Sequence, residues 1–154
     1  MSSKKNIAFL GIVIFPFIFI ISLVSLNAAD TPSQVVTHID EILKANPLKA
    51  GEKAQMIKIA QDDTVSFFVV RASEGVELKP HVHKTHDEII YVIKGSAQML
   101  IDDKDDKLVD VKPGSLHFNP MGKIHSSKVT SNEPYVVLSI FTPALKEPDR
   151  HFVE

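Results

Sequence analysis

Three of the seven histidines in this 154-residue chain, His81, His83 and His86, fall within six positions, and Glu88 follows two residues later. Neutral imidazole is the commonest protein ligand for mid-row transition metals. On a strand, residues i and i+2 point to the same side, so His81 and His83 would offer two nitrogens to one spot. The four-residue connection to Glu88 lets a carboxylate from the next strand return there. The chain has no cysteine, and a sulfur-free set of this kind suits iron, manganese, nickel, cobalt, zinc or copper. His86 lies between the candidate ligands and reads as a surface loop residue in preference to an alternative or supporting contact. His117 faces either a pocket or the core. Tyr91 reads as a packing residue and Arg71 as a solvated one. Asp102, Asp103, Asp105 and Asp106 read as a hairpin turn, because their spacing does not match a twelve-residue calcium loop. His38 and His151 carry no argument.

Strands are what must position such a set, and the sequence supplies them. After Gly51, short apolar runs alternate with turn residues: Gln55–Ala60, Val65–Ser73, Leu78–His83, Glu88–Lys94, Ala97–Ile101, Leu108–Val111, Leu116–Asn119, His125–Thr130 and Tyr135–Phe141. Breaks such as Glu74-Gly75, Lys94-Gly95, Pro113-Gly114 and Pro120-Met121-Gly122 separate them. Many short strands with such punctuation indicate an all-β sandwich or barrel. Glu88–Lys94 and Tyr135–Phe141 are apolar on both faces, and both faces must therefore be covered. One face belongs to the core; the other needs a helix, the C-terminal tail or a second subunit, so a homodimer is expected. Ahead of the strands, Val35, Ile39, Ile42 and Leu43 recur at helical spacing, which predicts a short amphipathic helix over Thr31–Asn46, capped by Thr31 or Ser33 and ended by Pro47. The Pro143–Glu154 tail is too polar to assign an element.

The segment from Gly75 to Gly95 resembles the first motif of the cupin superfamily, with Gly75, His81, His83, Glu88 and Gly95 at the family's spacing. The second motif is matched by Gly114, Pro120, Gly122 and His125, and four of the six glycines are motif glycines. The resemblance covers Gly75 to Val129 directly. It implies an all-β, cupin-like jelly-roll barrel, often dimeric, with one metal ion in its mouth held by His81, His83, Glu88 and His125. Two positions depart from the family. Val129 stands where asparagine is common and Ser115 where aspartate is frequent; neither is a ligand position.

The first 29 residues differ in character from the rest. Lys4-Lys5 precede an uncharged run from Ile7 to Leu26, and Asn27-Ala28-Ala29 come after it. The lysines hold the N-terminus in the cytoplasm and direct the chain beyond them across the membrane. The run is long for a signal-peptide core and just long enough to span, while Ala28-Ala29 suits cleavage. Residues 1–29 thus form a signal peptide or membrane anchor, 30–50 a helical lead-in, 51–145 the barrel and 146–154 a tail. The expected location is periplasmic or extracellular, or membrane-anchored through residues 7–26 and facing outward. All 19 acidic residues but only 15 of the 17 basic ones lie beyond residue 29, leaving a net charge of about −4. No basic stripe is available to neutralise phosphates, which argues against nucleic-acid binding.

Four protein ligands leave one or two positions open on a metal that accepts five or six. The favoured expectation is a metal-dependent, dioxygenase-like oxidoreductase acting on a small organic molecule, with iron or manganese favoured and Glu88 in the catalytic role. Isomerisation and decarboxylation rank below it. The alternatives are a non-catalytic module binding a small molecule, a sugar or a metal, and a structural protein with a vestigial motif, because one fold hosts all of these.

Overall fold

The computed structural model describes residues 34–101 and 107–153. The order is one helix, α1 (Ile39–Ala45), then β1 (Ala54–Gln61), β2 (Ser66–Ala72), β3 (Glu77–Val82), β4 (Asp87–Lys94), β5 (Ala97–Leu100), β6 (Leu108–Val111), β7 (Leu116–Asn119), β8 (His125–Val129), β9 (Tyr135–Thr142) and β10 (His151–Phe152). The strands form two five-stranded sheets, β1-β2-β9-β4-β7 and β10-β3-β8-β5-β6. All pairings within them are antiparallel. This is the expected jelly roll.

The alternation of the strands decides what lies between the sheets. Ala72, Val92, Ala97, Met99, Val111, Val129, Tyr135 and Val137 form the buried cluster, with Val70, Val76 and Ile90 against it. On the opposite face of the first sheet, Val69 and Val136 are also fully covered. Tyr91, Leu116 and Phe118 on β4 and β7 remain exposed. Two-sided burial therefore holds for the middle of that sheet, whereas the β7 edge is open.

Both departures from the family serve the fold. Ser115 Oγ accepts a hydrogen bond from the Lys112 amide at 3.0 Å, which ties down the turn at Pro113-Gly114. The Val129 side chain joins the core, while its amide donates to Val76 O at 2.9 Å.

The helix is shorter than its sequence pattern suggests. It begins at Ile39, and the residues from Gln34 to His38 are not helical. Val35 and Val36 are exposed, so this stretch has no apolar surface on which to lay a helical face. What fastens α1 is polar: the Arg71 guanidinium donates to the carbonyls of Leu43 and Asn46 and to Gln55 Oε1. The tail, too polar to read, forms β10 along β3, pairing His151 with Val82 and Phe152 with His81. The run from Ile7 to Leu26, the proposed cap residues Thr31 and Ser33, and the acidic turn 102–106 lie outside the described residues. Among the described residues, no helix is long and apolar enough to cross a membrane.

Candidate metal centre

His81 near the end of β3 pairs directly across the ladder with His125, the first residue of β8. Both belong to one sheet. A register shift between Leu78 and His81 adjusts the strand just before the histidine, as bulges do next to many sites. His83 lies one residue beyond β3, and its carbonyl accepts the Gly122 amide at 2.7 Å, which joins the two motifs through the backbone. Glu88 enters from the other sheet as the second residue of β4.

Each imidazole is oriented by its Nδ1. That nitrogen donates to Lys79 O at 2.8 Å in His81, to Lys123 O at 3.0 Å in His125 and to Asp149 O at 2.7 Å in His83. A carbonyl can only accept, so Nδ1 carries a proton and, in the neutral ring, Nε2 keeps its lone pair. Ligand nitrogens of the three rings lie within 4.8 Å of one another. The Nε2 atoms of His83 and His125 are buried without a hydrogen-bond partner among the described residues. Glu88 Oε2 stands 3.5 Å from the first and 3.4 Å from the second. Buried lone pairs converging beside a carboxylate are satisfied by a cation. The donor set thus fits a divalent transition metal.

Glu88 is itself held from two sides. Ser139 Oγ donates to Oε1 at 2.6 Å and Asn119 Nδ2 to Oε2 at 3.2 Å. Register explains both contacts: Asn119 is Glu88's direct partner on β7, and Ser139 pairs with Ile90 one step along the same face. Burial by itself would raise the carboxyl's pKa. The adjacent His125 and His83 imidazoles and the Ser139 hydroxyl outweigh it and hold the group well below the usual carboxylate range. For His81, burial dominates, the Lys79 carbonyl opposes it, and the neighbouring cationic groups reinforce it, lowering the pKa to about 4. His83 goes the other way, because Glu88 and Asp149 overcome the effect of burial and raise it.

Below its raised pKa, His83 carries a second proton on Nε2, which an ion seated there must displace. That proton is bound below a pKa lying above the ordinary value of 6.5. Metal affinity should therefore decline as the pH is lowered from 8, before neutral histidine alone would require it, and continue to fall towards pH 5. A titration of the wild-type protein with Co2+ at fixed ionic strength checks this; a flat affinity between pH 5 and 8 contradicts it.

Beside the histidines a cavity of about 400 Å3 runs between the sheets, within the range of small-molecule sites. Val70, Val76, Ile90, Val129, Val137 and Phe141 make its wall largely apolar. His81, Glu88 and His125 also line it, with Ser139 and Tyr135. Burial, then the Glu88 charge, push the Tyr135 phenol up to about 12, so it stays a neutral hydroxyl.

The structure brings His81, His83, Glu88 and His125 together as expected and corrects the reading of His86. This residue is buried; its Nδ1 contacts Asp149 Oδ2 at 2.7 Å and its Nε2 faces Ala144 O at 3.2 Å. Its partners lie about 60 positions along the chain, where local pattern gives no warning. His117 points inward on β7 and is not among the cavity-lining residues. Tyr91 is exposed on the outer face. Arg71 is half-buried and bonded to α1, not solvated. Sequence reasoning missed Asp149, Asn119, Ser139 and Tyr135. Only Ser139 left a signal, as the single polar residue inside an apolar strand.

A family model described as a cupin domain matches residues 67–141. An Aquifex aeolicus protein described as uncharacterized is 31% identical over 121 residues, covering 77% of this chain and 93% of its own. Quercetin 2,3-dioxygenase of Bacillus subtilis is 27% identical over 122 residues, 77% of this chain. The match takes in 35% of that enzyme, so the chain spans about a third of its length. An RmlC-like cupin from Shewanella frigidimarina has the same fold, with a TM-score of 0.59 at 16% identity over 75% of this chain and 96% of that one. The chain belongs to the cupin superfamily. Within it, this is a cupin whose three-histidine cluster can hold a metal ion.

Proposed function

We propose that this chain is an exported, metal-dependent cupin that oxidises a small organic molecule in a dioxygenase-like reaction. The observation that carries the reading is the convergence of oriented histidine Nε2 atoms and the Glu88 carboxylate at a mostly apolar cavity. His81, His83 and His125 would hold the ion through nitrogen and Glu88 through oxygen. Iron or manganese bound there would supply a Lewis acid and a redox partner for dioxygen. The apolar wall binds the body of the substrate and excludes water. Tyr135 keeps a neutral hydroxyl that can donate to a substrate oxygen. Glu88 contributes negative charge, and Oε2 is the atom on which a substrate proton would be held. Similarity to a quercetin dioxygenase supports the reaction class, and the Lys4-Lys5 and Ile7–Leu26 segment supports export.

Oxygen uptake by the iron- or manganese-loaded protein on phenolic and diketone compounds tests the proposal. Uptake above that of a His125→Ala variant is expected; compounds that bind tightly without oxygen consumption overturn the oxidative reading. A non-catalytic small-molecule binder is the second reading. It is favoured by one observation: His86, Tyr91 and His117 do not line the cavity and so supply no acid–base group there.

We also propose that the chain forms a homodimer through the outer face of β4 and β7. Tyr91, Leu116 and Phe118 form an exposed apolar row there, next to the half-buried Ile89 and Ile93. Ile89→Lys should give monomers in sedimentation; unchanged sedimentation removes the dimer.

A further inference from the structure

We propose that the C-terminal segment Ala144–Val153 is a clasp that positions His83 for the metal, with Asp149 as the positioning residue; this rests on the metal-site reading above. Two of the three imidazoles take their orienting carbonyl from two residues earlier on their own chain segment, Lys79 for His81 and Lys123 for His125. His83 alone takes its carbonyl from a segment 66 residues away, that of Asp149. The same aspartate fixes the loop that carries His83 into β4. Its carboxylate accepts from the Lys84 amide at 3.1 Å, the Thr85 amide at 2.8 Å and the Thr85 hydroxyl at 2.8 Å, and it contacts His86 Nδ1 at 2.7 Å. Asp149 is buried although its neighbours Pro148 and Arg150 are exposed.

The rest of the segment is stitched to the same end of the barrel. The Leu145 amide donates to Ser66 Oγ at 3.0 Å and the Val153 amide to Pro80 O at 3.1 Å. Phe152 places its ring 6.2 Å from that of His81. Arg150, next to Asp149, lines the cavity. With the segment undocked, His83 loses the carbonyl that fixes its Nδ1, while His81 and His125 keep theirs. Metal binding and docking of the segment must then favour each other to the same extent, since coupling between two equilibria is reciprocal.

Co2+ is a suitable probe, because its visible absorption bands report how many ligands it has and in what geometry. Asp149→Ala keeps the main-chain carbonyl but loses the carboxylate that docks it against the His83 loop; Co2+ affinity should fall by about 10–100-fold, the usual effect of disturbing the support of a metal ligand, with altered absorption bands. Asp149→Asn also keeps one side-chain acceptor and should recover part of the affinity. Thr85→Val removes an exposed residue's hydroxyl, which bonds Asp149 Oδ2 and contacts His86 Nδ1, and serves as the mild variant if Asp149→Ala does not fold. Asp63→Ala breaks the exposed ion pair to Lys146 of the same segment and should leave affinity unchanged. Hydrogen exchange supplies the second readout: Co2+ should slow exchange at the amides of Lys84, Thr85 and Val153 in wild type and not in Asp149→Ala. Wild-type affinity and spectra in both Asp149→Ala and Thr85→Val, or exchange indifferent to Co2+ in wild type, overturn the clasp and leave the metal site standing. A wild-type protein that takes up no Co2+ overturns both.

Discussion

Replacing His125 with alanine empties the metal centre while the barrel stays folded. The side chain is buried and contributes its Nδ1 bond to Lys123 O, but β8 is held on both sides by its ladders with β3 and β5, which do not involve the imidazole. The lost Nε2 has no hydrogen-bond partner among the described residues, so the substitution costs the metal-free fold only the Nδ1 bond. A metal held there would lose a direct ligand. The affinity loss should exceed the roughly 10–100-fold seen when only a ligand's supporting partner is removed. Two measurements check this together. Elemental analysis should find the variant without stoichiometric metal, and added metal should raise the melting temperature of wild type but not of the variant, since only a bound ligand stabilises the folded state. A variant that purifies with one equivalent of metal would remove His125 from the site.

The second large effect is on stability. Gly95 sits between β4 and β5 at φ +74°, and a Cβ built there meets Pro134 O, Ser131 Oγ and the Cα of Tyr135, each at 2.8 Å. The left-handed conformation alone costs a residue with a Cβ roughly 1–2 kcal/mol, and two of the three obstructing atoms are backbone. Gly95→Ala should therefore destabilise the protein by roughly 2–4 kcal/mol, lowering the melting temperature by about 10 °C. Gly75 is the internal control. Its φ is +72°, yet a Cβ there meets nothing within 4 Å, so Gly75→Ala should cost only about 1 kcal/mol. Equal losses in chemical denaturation of the two variants would show that crowding at Gly95 contributes nothing.

The strands were legible because alternation and turn chemistry are local properties of the sequence. The nine runs read from the sequence correspond to β1 through β9, with ends displaced by a residue at most. His81, His83 and Glu88 were legible for the same reason, since a period of two and a short connection fix which way they point. His125 came only through the motif, because nothing local places it opposite His81. The helix start was misread: Val35 has the right spacing but no surface to cover. Asp149 and its contacts were invisible for a different reason. The tail is held by hydrogen bonds to backbone amides and a buried imidazole, and such bonds leave no hydrophobic period behind them. His86 was misjudged with it, because a polar residue between two strands reads as solvated until its distant acceptor is known.

The candidate ligands are divided unequally between the two sheets: the three imidazoles come from the β3 and β8 side and the carboxylate from β4. A cation at their centre would behave as a cross-link between the two layers, beyond the packing, connecting chain and hydrogen bonds that join them there. Withdrawing it would leave each ladder intact and loosen the seam between them, so the earliest opening of the stripped protein would be a parting at one rim.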